Sequence, residues 1–394
     1  MTLIREAVIT SAVRTPIGSY GGVLSALKAT ELGSIVIKNA IERARISAED
    51  VDKVIMGNVL AAGLGQAPAR QAAIYAGLPN SVSCLTINKM CGSGLKAVML
   101  AAQAIALNDA DVIVAGGMES MSNAPYLLEK ARFGYRMGHG EIVDSMIRDG
   151  LWDVYNDFHM GNAAELCAKE CNISREDQDK YAIMSYERSL KAQKENYFKD
   201  EIVPVTIKTR KGETVVELDE EPSKVSFEKI PGLRPVFQKD GTVTAANASS
   251  INDGASAVSV MAASVAEKKG IKPLAKIVAY STASKAPEWF TTAPIDAIQK
   301  ALKKADMNKD DIDLYEVNEA FAAVALVTNN TLKLDPEKVN IAGGAIALGH
   351  PIGASGARIL TTLIYNLKRT GGKRGLASLC IGGGEAVAVI IEMI

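Results

Sequence analysis

The sequence predicts an α/β fold made of two similar halves. Over residues 1–120, short apolar segments alternate with helical segments, which is the pattern of a mostly parallel sheet covered by helices. The last third of the chain repeats features of the first: Gly353–Ile359 corresponds to Cys91–Ala97, and Asp311–Glu319 corresponds to Val51–Asn58. A repeat of this length is not a solenoid. It indicates two α/β lobes that face one another, with a site where their glycine-rich turns meet.

The elements of the first half follow one another in regular order. Short apolar segments predict four strands, at Ala7–Thr10, Lys53–Gly57, Val82–Ile87 and Asp111–Gly116. Longer segments rich in alanine and leucine predict three helices, at Thr30–Ala44, Ala67–Ala76 and Leu95–Leu107. We expect Val82–Ile87 to be a buried strand, because most of its residues are apolar.

The composition changes between the two halves. From Met121 to about Ala248, aromatic and charged residues become dense, and Arg175–Glu195 is predicted to form a helix. Small apolar residues then return, and Asp253–Val258 suggests a turn that leads into a helix or strand of the first lobe. We therefore predict three domains: an N-terminal half of residues 1–120 and 249–270, an inserted loop domain of residues 121–248, and a C-terminal half of residues 271–394.

Composition and charge exclude several classes of protein. The 394 residues are 48% hydrophobic and carry a net charge of −1, so neither nucleic acid nor a membrane surface is an expected partner. We expect no membrane span, because the apolar segments fall short of about 18 uninterrupted residues. The 5 cysteines are irregularly spaced, which argues against a disulfide framework and favours the reducing cytoplasm. Cys167 and Cys171 would share a helix face, but they lack further ligands at metal-site spacing, so no metal is expected.

Cys91 is predicted to lie at a strand-to-helix turn, between Val82–Ile87 and Leu95–Leu107. A helix N-terminus favours an anion, so we expect a depressed thiol pKa and a nucleophilic thiolate at this position. Gly92 and Gly94 have no Cβ atom and would let another molecule approach the backbone closely. The alternative interpretation of Cys91 is a buried structural cysteine.

Three further residues are candidates to act with Cys91. His350 lies in a glycine-rich loop that opens the helix corresponding to the one after Cys91, which suits a histidine that pairs with a thiol. Cys380 ends a predicted strand and precedes three glycines, so its thiol could face a cleft. The amide of Asn318 could hold a water molecule or donate to an oxyanion. The alternatives are an ordinary histidine, a buried cysteine and a helix N-cap, respectively.

Four segments, in order along the chain, resemble the active-site motifs of the thiolase family. They are Asn88–Gly94, Asn318–Phe321, Gly349–Gly353 and Cys380–Gly384. Val13–Gly18 and Gly117–Ser122 also resemble sequences of this family. The resemblance runs essentially from end to end, and it is closest to the biosynthetic branch that forms acetoacetyl-CoA.

The resemblance implies two βαβαβαββ halves that form a five-layered αβαβα core, with an inserted loop domain for coenzyme A (CoA) binding and oligomer contacts. It also implies a homotetramer. The implied activity is that of an acyltransferase that condenses two acetyl-CoA molecules, reversibly, into acetoacetyl-CoA and CoA. These CoA thioesters are substrates, so no cofactor is expected.

The resemblance also assigns roles to individual residues. The Cys91 thiolate would attack one acetyl-CoA and keep its acetyl group, while His350 accepts the thiol proton. Cys380 would then remove a proton from the methyl group of a second acetyl-CoA. One oxyanion hole would consist of His350 and a water molecule held by Asn318, and the other of the backbone N–H groups of Cys91 and Gly382.

By the same resemblance, eight positions would contact CoA. They are Leu151, His159, Met160, Phe237, Ala246, Ser249, Ala320 and Phe321. The segments 219–226 and 290–294 depart from the family pattern, and no residue is assigned to the adenosine end of CoA.

Three rival functions are considered. The first is a degradative 3-ketoacyl-CoA thiolase that cleaves longer chains, and the second is a non-catalytic acyl-CoA-binding protein. The third is a nicotinamide oxidoreductase, because Gly92, Gly94 and Ala97 satisfy a loose dinucleotide-binding pattern. Since Cys91 and Cys380 would have to approach the same substrate carbon, a disulfide between them is a further hypothesis.

Overall fold

The computed structural model describes residues 5–209 and 212–394, so residues 1–4 and 210–211 of the predicted domains lie outside it. The strands of the described residues are β1 (Ala7–Arg14), β2 (Gly18–Ser19), β3 (Lys53–Gly57), β4 (Ser83–Ile87), β5 (Val112–Ser120), β6 (Tyr126–Leu127), β7 (Val143–Asp144), β8 (Trp152–Asp153), β9 (Phe158–His159), β10 (Val205–Thr209), β11 (Gly212–Val216), β12 (Asn252–Ala262), β13 (Ala275–Ser284), β14 (Leu314–Val317), β15 (Arg374–Ile381) and β16 (Glu385–Met393). The α-helices are α1 (Ala29–Ala44), α2 (Pro68–Tyr75), α3 (Ser93–Ala106), α4 (Met160–Glu170), α5 (Arg175–Lys194), α6 (Ala263–Lys268), α7 (Ala293–Ala305), α8 (Ala322–Leu332), α9 (Ala345–Leu348) and α10 (Ser355–Thr370). Every strand and helix predicted for the first half is present.

One large mixed sheet contains the principal strands of both halves. Its order is β14-β15-β16-β13-β1-β12-β5-β3-β4. Strand β3 pairs in parallel with β4 and β5, whereas β12 pairs antiparallel with β5 and β1. The first half therefore runs β1-α1-β3-α2-β4-α3-β5-β12, which is the expected βαβαβαββ order.

The second half departs from this order in one element. Between α8 and α10, where the first half has β4, the structure has a single parallel bridge between Tyr315 and Val339. The third strand that the resemblance implies for this half is therefore reduced to one bridge. Asn340 follows the bridge with a left-handed φ of 48°, and two glycines come soon after it, so extended backbone ends here.

Helices α3 and α10 form the middle layer of the molecule. Their apolar faces, which include Leu95 and Leu363, pack with strands of both halves in one buried cluster. Two other clusters lie on the outer faces of the sheet, one containing Val36 of α1 and the other Ile298 of α7. The first-half and second-half parts of the large sheet both contact α3 and α10 and lie on either side of them, so the layers are helix, sheet, helix, sheet and helix, as in the αβαβα prediction.

The two central helices cross at a pair of glycines. A Cβ atom on Gly94 of α3 would lie 2.7 Å from the backbone nitrogen of Ala357, and one on Gly356 of α10 would lie 2.2 Å from that of Leu95. Larger side chains would therefore push the helices apart. This close crossing brings the N-termini of α3 and α10 together, and with them the loops that carry Cys91 and His350.

Strand β4 differs from its prediction. It lies at the edge of the large sheet, and Leu85 within it is 48% exposed. The prediction of a buried strand was wrong because apolar composition alone does not tell an edge strand from a central one.

The described residues include no helix long and apolar enough to cross a membrane. Within the same residues, no group of three or more histidine, cysteine or acidic side chains could hold a metal ion. Cys84, Cys91, Cys167, Cys171 and Cys380 are all free thiols.

Candidate active site

The glycine-rich loops of the two halves and part of the inserted segment surround one cavity of about 600 Å³. Cys91 from the first half lines it together with His350 and Gly382 from the second. A cavity of this volume is in the range of small-molecule sites. The structure thus brings together three site residues that are far apart in sequence.

Cys91 lies directly before Gly92, the N-cap of α3. The backbone N–H groups of Gly382 and of Cys91 itself lie near its Sγ atom and lower the pKa of the thiol. The preceding residue, Met90, has a left-handed φ of 46°, which is unusual for a residue with a long side chain. Two N–H groups therefore converge where a negative charge on sulfur, or on an oxygen bound next to it, would form.

The predicted depression of the Cys91 pKa is wrong. Burial and, to a smaller extent, the charge of Glu119 raise the pKa of this thiol from 9.0 to about 11, despite the lowering effect of the two N–H groups. The free energy lost when the thiolate is removed from water exceeds the stabilisation that the helix N-terminus provides. Cys91 therefore rests as a neutral thiol, and its thiolate has to form as it attacks.

We expect the rate of Cys91 alkylation by iodoacetamide to reach its plateau at a higher pH than the rate for an ordinary cysteine. Only the thiolate reacts, so the rate should rise about tenfold for each pH unit from about pH 7 to about pH 10, without levelling off near 9. Mass spectrometry of the peptide that contains Cys91 separates its labelling from that of Cys84, which is half-buried. A plateau below pH 9 would show that the pKa of Cys91 is not raised.

The His350 ring is held by the residues that follow it. Its Nδ1 atom lies 2.6 Å from the hydroxyl of Ser355, and that hydroxyl donates to the Pro351 carbonyl at 2.9 Å. A hydroxyl has one hydrogen, so the Ser355 oxygen accepts from Nδ1–H and leaves Nε2 unprotonated. Burial, and then the charge of Arg358, lower the pKa of His350 to about 3, which keeps the ring neutral.

Asn318 lies beside this ring. Its amide Nδ2 atom is 3.5 Å from Nε2 of His350, and the residue is 1% exposed. The helix N-cap alternative is not observed, because the N-cap of α8 is Phe321. Its Oδ1 atom is buried and has no hydrogen-bond partner within the described residues, so it is available to hold a small polar molecule.

Cys380 lies behind the wall of the cavity. It is 1% exposed and packs in an apolar cluster with Met160, Ala320 and Phe321. Burial raises its pKa well above the ordinary value, and the nearby Cys91 thiol raises it further, because two negative charges close together would repel. Cys380 is therefore protonated at rest and would be a strong base once it has lost its proton.

The predicted CoA positions mostly line the same cavity. Those that do are Leu151, His159, Met160, Phe237, Ser249, Ala320 and Phe321. Ala246 does not, although its neighbour Ala245 does. His159 stacks on Phe237 with ring centroids 4.7 Å apart, and its Nδ1 accepts the Gly161 N–H at 3.1 Å. Burial lowers the pKa of His159, so it offers a flat, neutral ring to the cavity.

Glu319 holds the loops of the second half to the inserted segment. Its carboxylate is fully buried and accepts hydrogen bonds from Tyr181 and Ser185 of α5, at 3.0 and 2.7 Å. It also accepts from Asn340 at 2.9 Å and from the Ile346 N–H at 3.2 Å. These bonds fix the residue next to Asn318 and so hold the amide near His350.

Sequence reasoning missed several residues of the site. Ser355 was missed although it occupies the same place in α10 as Ser93 does in α3, which is a signal that the repeat could have supplied. Met121, Phe290 and Ile352 also line the cavity. They carry no local signal, since an apolar side chain that lines a cavity has the same chemistry as one in the core.

Two family profiles match the chain, "Thiolase, N-terminal domain" over residues 7–264 and "Thiolase, C-terminal domain" over residues 271–393. An acetyl-CoA acetyltransferase of Schizosaccharomyces pombe is 52% identical over 391 residues, which are 99% of each chain. One of Cupriavidus necator is 54% identical over 389 residues, 98% of this chain and 99% of that protein.

Solved structures agree with these sequence matches. The acetyl-CoA acetyltransferase of Bacillus anthracis superposes with a TM-score of 0.98 at 44% identity and covers 100% of both chains. The Acat5 thiolase of Ascaris suum, in complex with coenzyme A, gives a TM-score of 0.94 at 43% identity, covering 99% of this chain and 100% of that one.

Proposed function

The chain belongs to the thiolase family, and we propose on this basis that it is an acyltransferase that condenses two acetyl-CoA molecules into acetoacetyl-CoA and CoA, and catalyses the reverse cleavage. The observation that carries the proposal is the single cavity lined by Cys91, His350 and Gly382, with Cys380 directly behind it. The names of the relatives support these substrates over longer 3-ketoacyl-CoA thioesters.

In the first step Cys91 attacks the thioester carbonyl of acetyl-CoA. Its proton passes to the free Nε2 of His350, because Nδ1 is already occupied by Ser355. The carbon–sulfur bond to CoA then breaks, and the CoA thiolate needs a proton. Cys380 is protonated at rest and adjoins Cys91, so it can supply that proton and become a thiolate.

In the second step the Cys380 thiolate removes a proton from the methyl group of another acetyl-CoA. Its raised pKa makes it a strong enough base for this weak carbon acid. The carbanion attacks the acetyl group on Cys91, acetoacetyl-CoA leaves, and Cys91 recovers its proton from His350. All groups then return to their starting forms.

Both steps place negative charge on a thioester oxygen. The N–H groups of Cys91 and Gly382 both lie near the Cys91 sulfur, which suits them for one oxyanion hole. For the other, we propose Nε2–H of protonated His350 together with a water molecule on Asn318, whose buried Oδ1 lacks a partner in the described part of the chain. No resident cofactor is required by these steps.

Exposed apolar residues support an assembly, and the free cysteines support a location. We propose a homotetramer, because Phe133, Met137 and Ile142 are 93%, 104% and 67% exposed in the single chain and strand β4 leaves a sheet edge open. We also propose a cytoplasmic location, since the two reactive thiols are free and must stay reduced. A bovine relative is named mitochondrial, so fractionation of the source cells is the appropriate check.

One experiment tests both the chemistry and the assembly. After the protein is mixed with acetyl-CoA, we expect native mass spectrometry to show a four-subunit mass with one acetyl group added per subunit. Digestion should place that group on the peptide containing Cys91. An acetyl group on another residue would contradict the nucleophile, and a monomer mass would contradict the tetramer.

A further inference from the structure

Glu119, at the end of β5, is a buried carboxylate that the proposed chemistry does not use. It is 0% exposed, and its two oxygens accept four hydrogen bonds from N–H groups. Oε1 accepts from Asn58 Nδ2 at 2.8 Å and from the Leu60 N–H at 3.1 Å. Oε2 accepts from the Val59 N–H at 3.0 Å and from the Gly353 N–H at 2.9 Å.

The duplicated fold gives Glu119 a counterpart in the second half. Gly117 of β5 pairs with the last residue of β3, and Ser378 of β15 pairs with the last residue of β14. Glu119 lies two residues beyond Gly117, and Cys380 lies two residues beyond Ser378. Glu119 therefore occupies, in the first half, the position that Cys380 occupies in the second.

Its hydrogen-bond partners are counterparts of site residues as well. Asn58 directly follows β3 as Asn318 directly follows β14. Helices α3 and α10 both begin at a serine, and Cys91 and Gly353 each lie two residues before it. The group of Glu119, Asn58 and Gly353 thus repeats the arrangement of Cys380, Asn318 and Cys91.

The second copy of the site is filled by protein. In the candidate active site the N–H of Cys91 is assigned to the proposed oxyanion hole, whereas the equivalent N–H of Gly353 donates to the Glu119 carboxylate. The surroundings are closed, since a Cβ atom on Gly117 would lie 1.9 Å from the Gly353 carbonyl oxygen. No room for a substrate remains there, so the carboxylate has a different role.

Glu119 connects the two loops that carry the reactive groups. On one side, Asn88 Nδ2 donates to the carbonyl of Val59 at 3.5 Å, and Asn88 Oδ1 accepts the N–H of Met90, next to Cys91, at 3.0 Å. On the other side, Gly353 lies three residues after His350. Glu119 therefore links the His350 loop to the Cys91 turn indirectly, through Val59 and the Asn88 side chain.

We propose that Glu119 is a positioning residue that holds the His350 loop of the second half in place against the Cys91 turn of the first. The inference rests on the proposed roles of Cys91 and His350. In this proposal, the group of Glu119, Asn58 and Gly353 does not bind substrate and instead aligns Cys91 with His350.

The variant Glu119→Gln tests this directly. Each carboxylate oxygen accepts two N–H groups, so the Gln NH₂ group, on either side, would face two donors and push a loop away. We expect the acetylation of Cys91 at saturating acetyl-CoA to slow about 100-fold, the effect of a misplacement of roughly 1 Å. The KM for acetyl-CoA should change little. Alkylation of Cys91 by iodoacetamide, which does not need His350, should not slow.

Glu165→Gln is the matched control. Glu165 is also buried, at 5% exposure, and accepts hydrogen bonds from the N–H groups of Thr242 and Val243 and from the Thr242 hydroxyl. It holds α4 to residues 242–243 rather than joining the two loops. We expect this variant to lose thermal stability as Glu119→Gln does, while Cys91 is acetylated at saturation close to the wild-type rate.

If Glu119→Gln does not fold, Asn58→Ala removes one of the four hydrogen bonds and should slow acetylation about tenfold with KM unchanged. Wild-type acetylation rates in the folded variants would overturn the inference, as would equal losses in the Glu165→Gln control. A loss of alkylation as large as that of acetylation would also overturn it, since Glu119 would then support only the Cys91 turn. Absence of a Cys91 adduct in the wild type would instead refute the proposed function.

Discussion

Replacing Cys91 with alanine is expected to lower kcat for acetoacetyl-CoA formation by at least about 10⁴-fold. The variant keeps the cavity, the donors of both proposed oxyanion holes and Cys380. It has no atom that can carry the acetyl group between the two substrates. CoA release from acetyl-CoA, followed with a thiol reagent, measures the loss. Acetyl-CoA should still bind, because the predicted contacts to CoA lie along the rest of the cavity.

Cys84→Ala is the control for this change. Cys84 lies on strand β4, seven residues before Cys91, and is likewise a free, half-buried thiol. Its replacement should leave kcat close to the wild-type value. If Cys91→Ala kept more than about a tenth of the activity, an acetyl-cysteine intermediate at this position would be refuted.

Replacing Cys380 with alanine is expected to lower the condensation rate about 10³-fold, within the range of a lost general base. The two half-reactions should separate in this variant. Cys91 should still become acetylated, because solvent can protonate the CoA thiolate when Cys380 is absent. Exchange of the acetyl-CoA methyl protons with deuterated water should be lost, because nothing else in the apolar cluster around Cys380 can remove them.

Cys167→Ala controls for the burial of the thiol. Cys167 is also fully buried, on α4, and burial likewise raises its pKa. Its removal should reduce stability, by leaving a small cavity, without affecting methyl-proton exchange. If Cys380→Ala exchanged methyl protons at the wild-type rate, a different residue would have to be the base.

Much of the site could be predicted from sequence because its residues lie in glycine-rich turns at the ends of predicted strands and helices. Cys91 and His350 lie before corresponding helices of an internal repeat, so the meeting of their loops followed from the repeat itself. Local sequence made Asn318 and Cys380 candidates, the resemblance to thiolases gave them roles, and the structure places both next to the cavity. The catalytic role of Cys380 is the prediction that the second experiment above tests.

Other features could not be predicted, and each depends on distant parts of the chain. Strand β4 has the composition of a buried strand, yet it lies at an edge because nothing in the described chain pairs with its far side. The helix N-terminus at Cys91 suggested a lowered pKa, yet the protein around the thiol raises it to about 11. Ser355 and Glu119 look unremarkable until the fold shows what their side chains contact.

The sequence by itself determined the duplicated α/β architecture and the chemical groups available for catalysis, since periodicity and motif spacing are local properties of a chain. Only the tertiary structure decided how those groups are protonated and which copy of the repeated site is open. Burial, charge neighbours and hydrogen-bond partners come from residues that are far apart in sequence. Glu119 and Cys380 hold equivalent positions, and their surroundings make one a closed structural bridge and the other a buried thiol beside a cavity.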